Sequence, residues 1–210
     1  MTDNNVTFLS LAAATITVPS AGSDAPPDVY LIGAGLLIAT RESARWCFSV
    51  ETAAVAAGEK EQNLLLWLSD RLPRATTVIG YHMDNRLVPA LINAAAHADP
   101  AIAQHFMLRL ARALRNSVVD LSIGRSADVD AAANEEDANI PAMSPDALLA
   151  AWGLGQLDAV RGGLEREVIG TWQSFVRRAG VPGAEAEQST RDWIRRRSII
   201  RAVKSKPFSA

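Results

Sequence analysis

The chain opens with three runs of apolar and β-branched residues that short polar turns separate. Val6 to Val18 interleaves apolar residues with Thr and Ser, and Val29 to Ile38 is almost continuously apolar. A third run, Arg45 to Val50, follows a polar turn. Runs of this length and composition are typical of strands, and an uninterrupted apolar run is typical of a strand buried on both faces. Three strands with short links predict an antiparallel meander.

The rest of the chain changes to helical spacing, broken by two short β-branched runs. Apolar residues at helical spacing, as at 59–72, or a capping residue and a first-turn proline, as at 144–152, predict helices in six segments. The predicted helices are 59–72, 87–97, 100–115, 144–152, 165–179 and 185–204. The runs at 76–81 and 117–121 predict two further strands. Strands reached through helices extend a meander with parallel strands, so the sequence predicts an α/β fold with one mixed sheet and flanking helices.

Length and composition favour one domain. With 210 residues, 49% of them hydrophobic, the chain is long enough to bury one substantial core, and residues 1–210 are predicted to form a single domain. Segment 125–141 is rich in Ala, Asp, Glu and Asn without periodicity, which predicts a mobile surface loop. Cys47 lies among alternating apolar residues and is predicted to be an inert core residue. Neither a membrane span nor a signal peptide is predicted, so the expected compartment is the cytoplasm.

Four segments follow one another in the order and spacing of one known group of enzymes. They are FLSLAAAT at 8–15, GYHMDNRLVPAL at 80–91, VDL at 119–121 with the helix at 144–154, and QSTRDWI at 188–194. Together they resemble the 3′–5′ exonuclease domains of the DEDD superfamily, similar to the proofreading domain of family B DNA polymerases and its stand-alone relatives. The resemblance covers most of the chain and implies a ribonuclease H-like fold.

The resemblance also implies where a two-metal site would lie. Family members end their first strand with Asp-x-Glu, and this chain has Ala12 and Ala14 at the two acidic places. The acid of the second motif falls on Leu87, whereas Asp192 stands at the acidic place of the last helical motif. The family binds Mg²⁺ or Mn²⁺ with four carboxylates, and one carboxylate is too few for such a site. No cofactor is therefore expected, and Mg²⁺ or Mn²⁺ would be needed only if the chain were active.

Two other interpretations of the acidic residues stay open. A shifted group of His82, Asp84, Asp120 and Asp192 would hold one metal ion, with Asp84 and Asp192 as the metal candidates. Alternatively, Asp84 and Asn85 cap the following helix, and Asp120 is a hydrogen-bonding residue at the end of a strand. The alanines of the first motif would also fit a laboratory replacement of Asp-x-Glu, but losses in all three motifs favour natural degeneration.

The C-terminal helix provides the strongest local candidate for a nucleic-acid contact. Arg191, Arg195 and Arg196 belong to a basic run interleaved with apolar residues, and such a helix would contact a phosphate backbone. The alternative is a solvated face whose long side chains cover the domain's own apolar surface. The formal net charge of −2 gives no global preference for nucleic acid. Four tryptophans at apolar-periodic positions are predicted to be core residues: Trp46, Trp67, Trp152 and Trp172.

The leading functional hypothesis is a degenerate 3′–5′ exonuclease-like domain, catalytically impaired, that binds DNA, RNA or a protein of replication or repair. One alternative is an active, divergent, metal-dependent 3′–5′ exonuclease. Another is a structural protein-interaction domain without a nucleic-acid role. The sequence leaves the oligomeric state open.

Overall fold

The computed structural model describes residues 6–18, 28–42, 45–74, 76–123, 143–179 and 183–204. This part of the chain contains five strands: β1 Val6–Val18, β2 Asp28–Glu42, β3 Arg45–Ala54, β4 Thr77–Gly80 and β5 Ser117–Asp120. It also contains six α-helices: α1 Gln62–Arg71, α2 Val88–Ala96, α3 Pro100–Leu114, α4 Pro145–Gly153, α5 Leu157–Ala179 and α6 Gly183–Lys204. A five-residue π-helical turn, Met83–Leu87, leads into α2.

The strands form one mixed sheet in the order β3-β2-β1-β4-β5. β2 pairs antiparallel with both β1 and β3, whereas β4 pairs parallel with β1 and β5. The α/β prediction, with an antiparallel meander extended by parallel strands, is confirmed at this level. Because β1, β4 and β5 run in the same direction, their carboxyl ends meet at one edge of the sheet.

Helices cover both faces of the sheet, and β1 supplies side chains to each. Successive side chains of a strand point to opposite faces, so Phe8 and Ile16 pack against α4, α5 and α6. Leu9 and Leu11 pack against α1, α2 and α3 on the other face. A buried hydrogen bond from Ser10 Oγ to the carbonyl oxygen of Val168, at 2.9 Å, ties β1 to α5.

Aromatic side chains dominate the layer between the sheet and the C-terminal helices. Trp46 and Trp172 are buried there with ring centroids 5.7 Å apart, which confirms the core prediction for these two residues. Trp172 Nε1 donates to Thr190 Oγ1 of α6 at 2.9 Å. Trp152 is half-buried, and its Nε1 donates to the carbonyl oxygen of Val55 at 2.8 Å. The C-terminal helices are therefore part of the core and not an appendage.

Two predictions about elements are corrected. Cys47 is exposed, because β3 is an edge strand whose odd-numbered side chains face away from the C-terminal helices. The helix predicted at 165–179 begins earlier, at Leu157.

The predicted loop at 125–141 lies outside the described residues. Within the described residues, no helix combines the length and apolar character that a membrane crossing requires.

Candidate functional site

A small recess of about 50 Å³ opens beyond the end of β4, beside the C-terminal half of β1. Crevices at the carboxyl ends of parallel strands are the usual ligand sites of open α/β sheets. The recess is lined by residues of β1, the corner after β4, the π-helical turn, α2 and α5. These residues are Ala13, Thr15, Tyr81, His82, Arg86, Leu87, Ala90 and Glu167. The recess therefore collects side chains from across the sequence at one edge of the sheet.

Asp120 at the end of β5 holds the corner that forms the rim of the recess. Its carboxylate accepts hydrogen bonds from the backbone N–H of His82 at 3.1 Å and of Met83 at 2.8 Å. It also accepts from the N–H and the hydroxyl of Ser122, at 2.9 and 2.6 Å. These bonds allow His82 to keep a left-handed conformation, φ 52° and ψ 44°, that residues with a side chain rarely adopt.

The same hydrogen bonds perturb the acidity of Asp120. Partial burial acts to raise the pKa of its carboxyl, but the hydrogen bonds from Ser122, Met83 and His82 together outweigh it and hold the pKa below the ordinary 3.8. Asp120 is therefore a carboxylate with a structural task at neutral pH. The interpretation of Asp120 as a strand-end hydrogen-bonding residue is what the structure shows.

Arg178, near the end of α5, supports the corner from the other side. Its Nη1 donates to the carbonyl oxygen of Leu121 at 2.7 Å, and its guanidinium carbon lies 5.9 Å from the centroid of the Tyr81 ring. Nη2 reaches the Tyr81 hydroxyl at 3.5 Å. Tyr81 is thus oriented toward the recess by contacts with α5.

Glu167 and Arg86 are the charged side chains inside the recess. Burial of the Glu167 carboxyl among protein atoms raises its pKa, and the nearby Arg86 guanidinium opposes that rise. Although protein atoms surround the carboxyl, Glu167 as a whole residue is exposed to solvent. A ligand in the recess can therefore contact it. One carboxylate beside one guanidinium can hydrogen-bond a polar group, but it does not offer the several oxygen ligands of a magnesium site.

The four positions singled out by the family motifs do not share this recess. Leu87 lines it, but Ala12 and Ala14, only 1% and 4% exposed, are buried in the layer beneath α5. Their neighbours Ala13 and Thr15 take the places at the recess. Asp192 lies on α6, which packs on α5 and β3, and its carboxylate accepts from Gln188 Nε2 at 3.1 Å. It is not among the residues that line the recess.

The second set of metal candidates is also not brought together. Asp84 is exposed on the π-helical turn and does not line the recess. The predicted capping by Asp84 or Asn85 is absent, because Asp120 bonds the backbone at this helix start instead. Among the residues that the structure describes, no group of three or more His, Cys, Asp or Glu side chains is arranged to hold a metal ion.

Most of the arginines predicted to contact nucleic acid have neighbours on their own helix. Arg191 lies 3.7 Å from a carboxylate oxygen of Glu187, and Arg196 Nε donates to the carbonyl oxygen of Asp192 at 3.3 Å. Arg195 is exposed. Their role in binding nucleic acid stays a prediction.

Comparison of the chain with protein-family models, with curated proteins and with solved structures finds no match. A functional assignment must therefore come from the sheet topology and from the chemistry of the recess. Glu167 and Arg86 are the two charged residues of the recess, and the motifs identified neither of them as a candidate.

Proposed function

We propose that this chain is a ribonuclease H-like domain related to the 3′–5′ exonucleases of the DEDD superfamily. It has lost the hydrolytic activity of that superfamily and acts by binding a partner at the recess. The sheet order β3-β2-β1-β4-β5 is compatible with the fold that the resemblance implies. The recess lies beyond the end of β4, at the edge of the sheet where open α/β sheets usually bind ligands.

The side chains that line the recess are the observation that supports the proposal. Two-metal hydrolysis of a phosphodiester needs several carboxylates around a pair of cations. The described lining supplies one carboxylate, Glu167, and beside it the guanidinium of Arg86, whose positive charge disfavours a cation. Alanine, threonine and leucine occupy the neighbouring wall positions. The arrangement therefore favours binding over metal-assisted hydrolysis.

The partner that binds at the recess is DNA, RNA or a protein of replication or repair. Arg86 favours a nucleic acid, because a guanidinium binds phosphate oxygens in a bidentate geometry.

An exonuclease assay tests the loss of hydrolysis. The intact chain is incubated with 3′-labelled single-stranded DNA and RNA in Mg²⁺ or Mn²⁺, beside a known exonuclease as positive control. We expect the labelled strands to keep their length. Shortening that Glu167→Gln abolishes would overturn the proposal and establish an active enzyme with a rebuilt site. Shortening that Asp84→Asn or Asp192→Asn abolishes would favour the divergent exonuclease built on those two residues.

A further inference from the structure

A much larger groove, of about 1210 Å³, adjoins the recess. The two share Thr15, Arg86 and Ala90 in their linings, so they lie side by side. The groove passes between the ends of β1 and β2, the helix α2 and the first turns of α4. Its size suits a segment of a polymer better than a single small group.

The charges of the groove oppose a nucleic acid. Among the lining residues that the structure describes, three carboxylates, from Asp28, Glu61 and Asp146, stand against the single guanidinium of Arg86. Glu61 is fixed there, because its Oε2 accepts from the backbone N–H of Leu31 at 3.0 Å. A nucleic acid brings one negative charge per phosphate, so most of the groove would repel it.

The apolar part of the lining points to a polypeptide. Tyr30 and Leu149 are 41% and 48% exposed, and both line the groove close to its carboxylates. Large exposed apolar side chains rimmed by charge are typical of surfaces that bind another protein. The lining also offers a proline, Pro89, and the hydroxyl of Thr17. Apolar contacts beside negative charges complement a chain that combines apolar and basic side chains.

We propose that the groove binds an extended segment of a partner protein in which Lys or Arg residues lie beside apolar residues. The inference rests on the binding role proposed above and names the chemistry of the partner. Charge complementarity selects the basic segment. The apolar surface of Tyr30 and Leu149 provides the area that a purely electrostatic contact would lack.

A titration of the intact chain with defined probes tests the inference. The ¹⁵N-labelled protein is titrated with a peptide of alternating Lys and Leu, with the same peptide carrying Glu in place of Lys, and with an oligothymidylate. We expect the lysine peptide to shift the amide signals of groove residues such as Thr17 and Leu149. The glutamate peptide and the oligonucleotide should leave these signals unchanged.

Paired substitutions locate the contact. Asp28→Asn with Asp146→Asn removes two groove charges but leaves Glu61 and its backbone hydrogen bond intact. We expect the Kd of the lysine peptide to rise roughly five- to tenfold, because each partly exposed ion pair contributes a modest amount. The control, Glu42→Gln with Asp70→Asn, removes two exposed charges that do not line the groove and should leave the Kd unchanged. Far-UV circular dichroism confirms that both variants fold.

The outcomes separate this inference from the proposal on which it rests. If the oligonucleotide shifts the groove signals and the lysine peptide does not, the basic partner is wrong, whereas a non-hydrolytic binding domain stands. If neither probe shifts them, or if both double variants weaken the peptide equally, the groove is not the site and the inference fails. Shortening of labelled strands in the exonuclease assay would remove the proposed function whatever the peptide does.

Discussion

At the scale of single residues, Asp120 connects the end of β5 to the corner that shapes the recess. Its carboxylate bonds two backbone N–H groups of a neighbouring segment and both donors of Ser122. We predict that Asp120→Asn lowers the free energy of unfolding by about 1–2 kcal/mol at neutral pH, because the amide has one acceptor oxygen and no charge. Urea denaturation measures the change.

The pH dependence of the free energy of unfolding tests the same role of the Asp120 carboxylate. The folded-state pKa of Asp120 lies below the ordinary 3.8 of an unfolded chain, so its stabilisation is complete above 3.8 and is lost as the pH falls through the folded-state value. The free energy of unfolding of the parent chain should therefore fall more steeply in acid than that of Asp120→Asn. Asp84→Asn, an exposed acid in the same turn, should keep the parent's dependence. Equal slopes for all three proteins would contradict the role of Asp120.

At the scale of elements, the hydrophobic pattern predicted β1 and α3 closely but missed the start of α5. β1 spans Val6–Val18 as predicted, because this run of apolar residues, Thr and Ser is long and no Gly or Pro interrupts it. The start of α5 was missed, since Gly162 and Gly163 in its second turn lower helix propensity and hide the period. Packing of Val160 and Leu164 against the sheet outweighs that cost. Such a contact between distant segments is not visible in local spacing.

The crossing of α5 over β2 depends on a strand position without a side chain. A Cβ atom at Gly35 would lie 3.2 Å from the carbonyl oxygen of Leu164 and 3.2 Å from a methyl carbon of Val168. We predict that Gly35→Ala costs roughly 1–3 kcal/mol of stability, since both contacts belong to a packed helix that must move away. Chemical denaturation measures the cost. Gly153→Ala, where a Cβ would meet nothing within 4 Å, is the control and should not destabilise; equal effects would contradict the close packing.

At the scale of the whole molecule, one of the four motif positions lines the recess, and the charged side chains there were missed. The motif at 80–91 led to Leu87, which does line the recess. Glu167 was missed because its direction is set by how α5 crosses the sheet, a tertiary property. The first motif placed its two acidic positions on Ala12 and Ala14, whereas Ala13 and Thr15 line the recess. Which of these two alternating sets reaches the recess depends on the packing of both faces of the sheet. Tertiary packing therefore decides which side chains line the recess.

The sheet also couples its two apolar layers, because β1 gives alternate side chains to each. The test replaces Leu9, which is fully buried on the face that packs against α1, α2 and α3, with alanine. The background is Trp67→Phe, because Trp67 packs on the same face and its fluorescence would report on that face directly. We expect Leu9→Ala to cost about 2–5 kcal/mol. Since the remaining tryptophans lie elsewhere, their fluorescence should report the same lowered midpoint in urea as far-UV circular dichroism.

Leu66→Ala in the same background is the matched control, since Leu66 is 41% exposed and the same truncation there should change stability by no more than about 0.5 kcal/mol. A fluorescence midpoint that stays at its parent value while circular dichroism shifts would mean that the two faces unfold separately. Coincident midpoints are expected because a cavity beneath β1 weakens the strand that holds Phe8 against Trp172, whose ring centroids lie 5.6 Å apart on the opposite face. The recess, built from β1, β4 and α5 together, would then be lost in the same transition as the core.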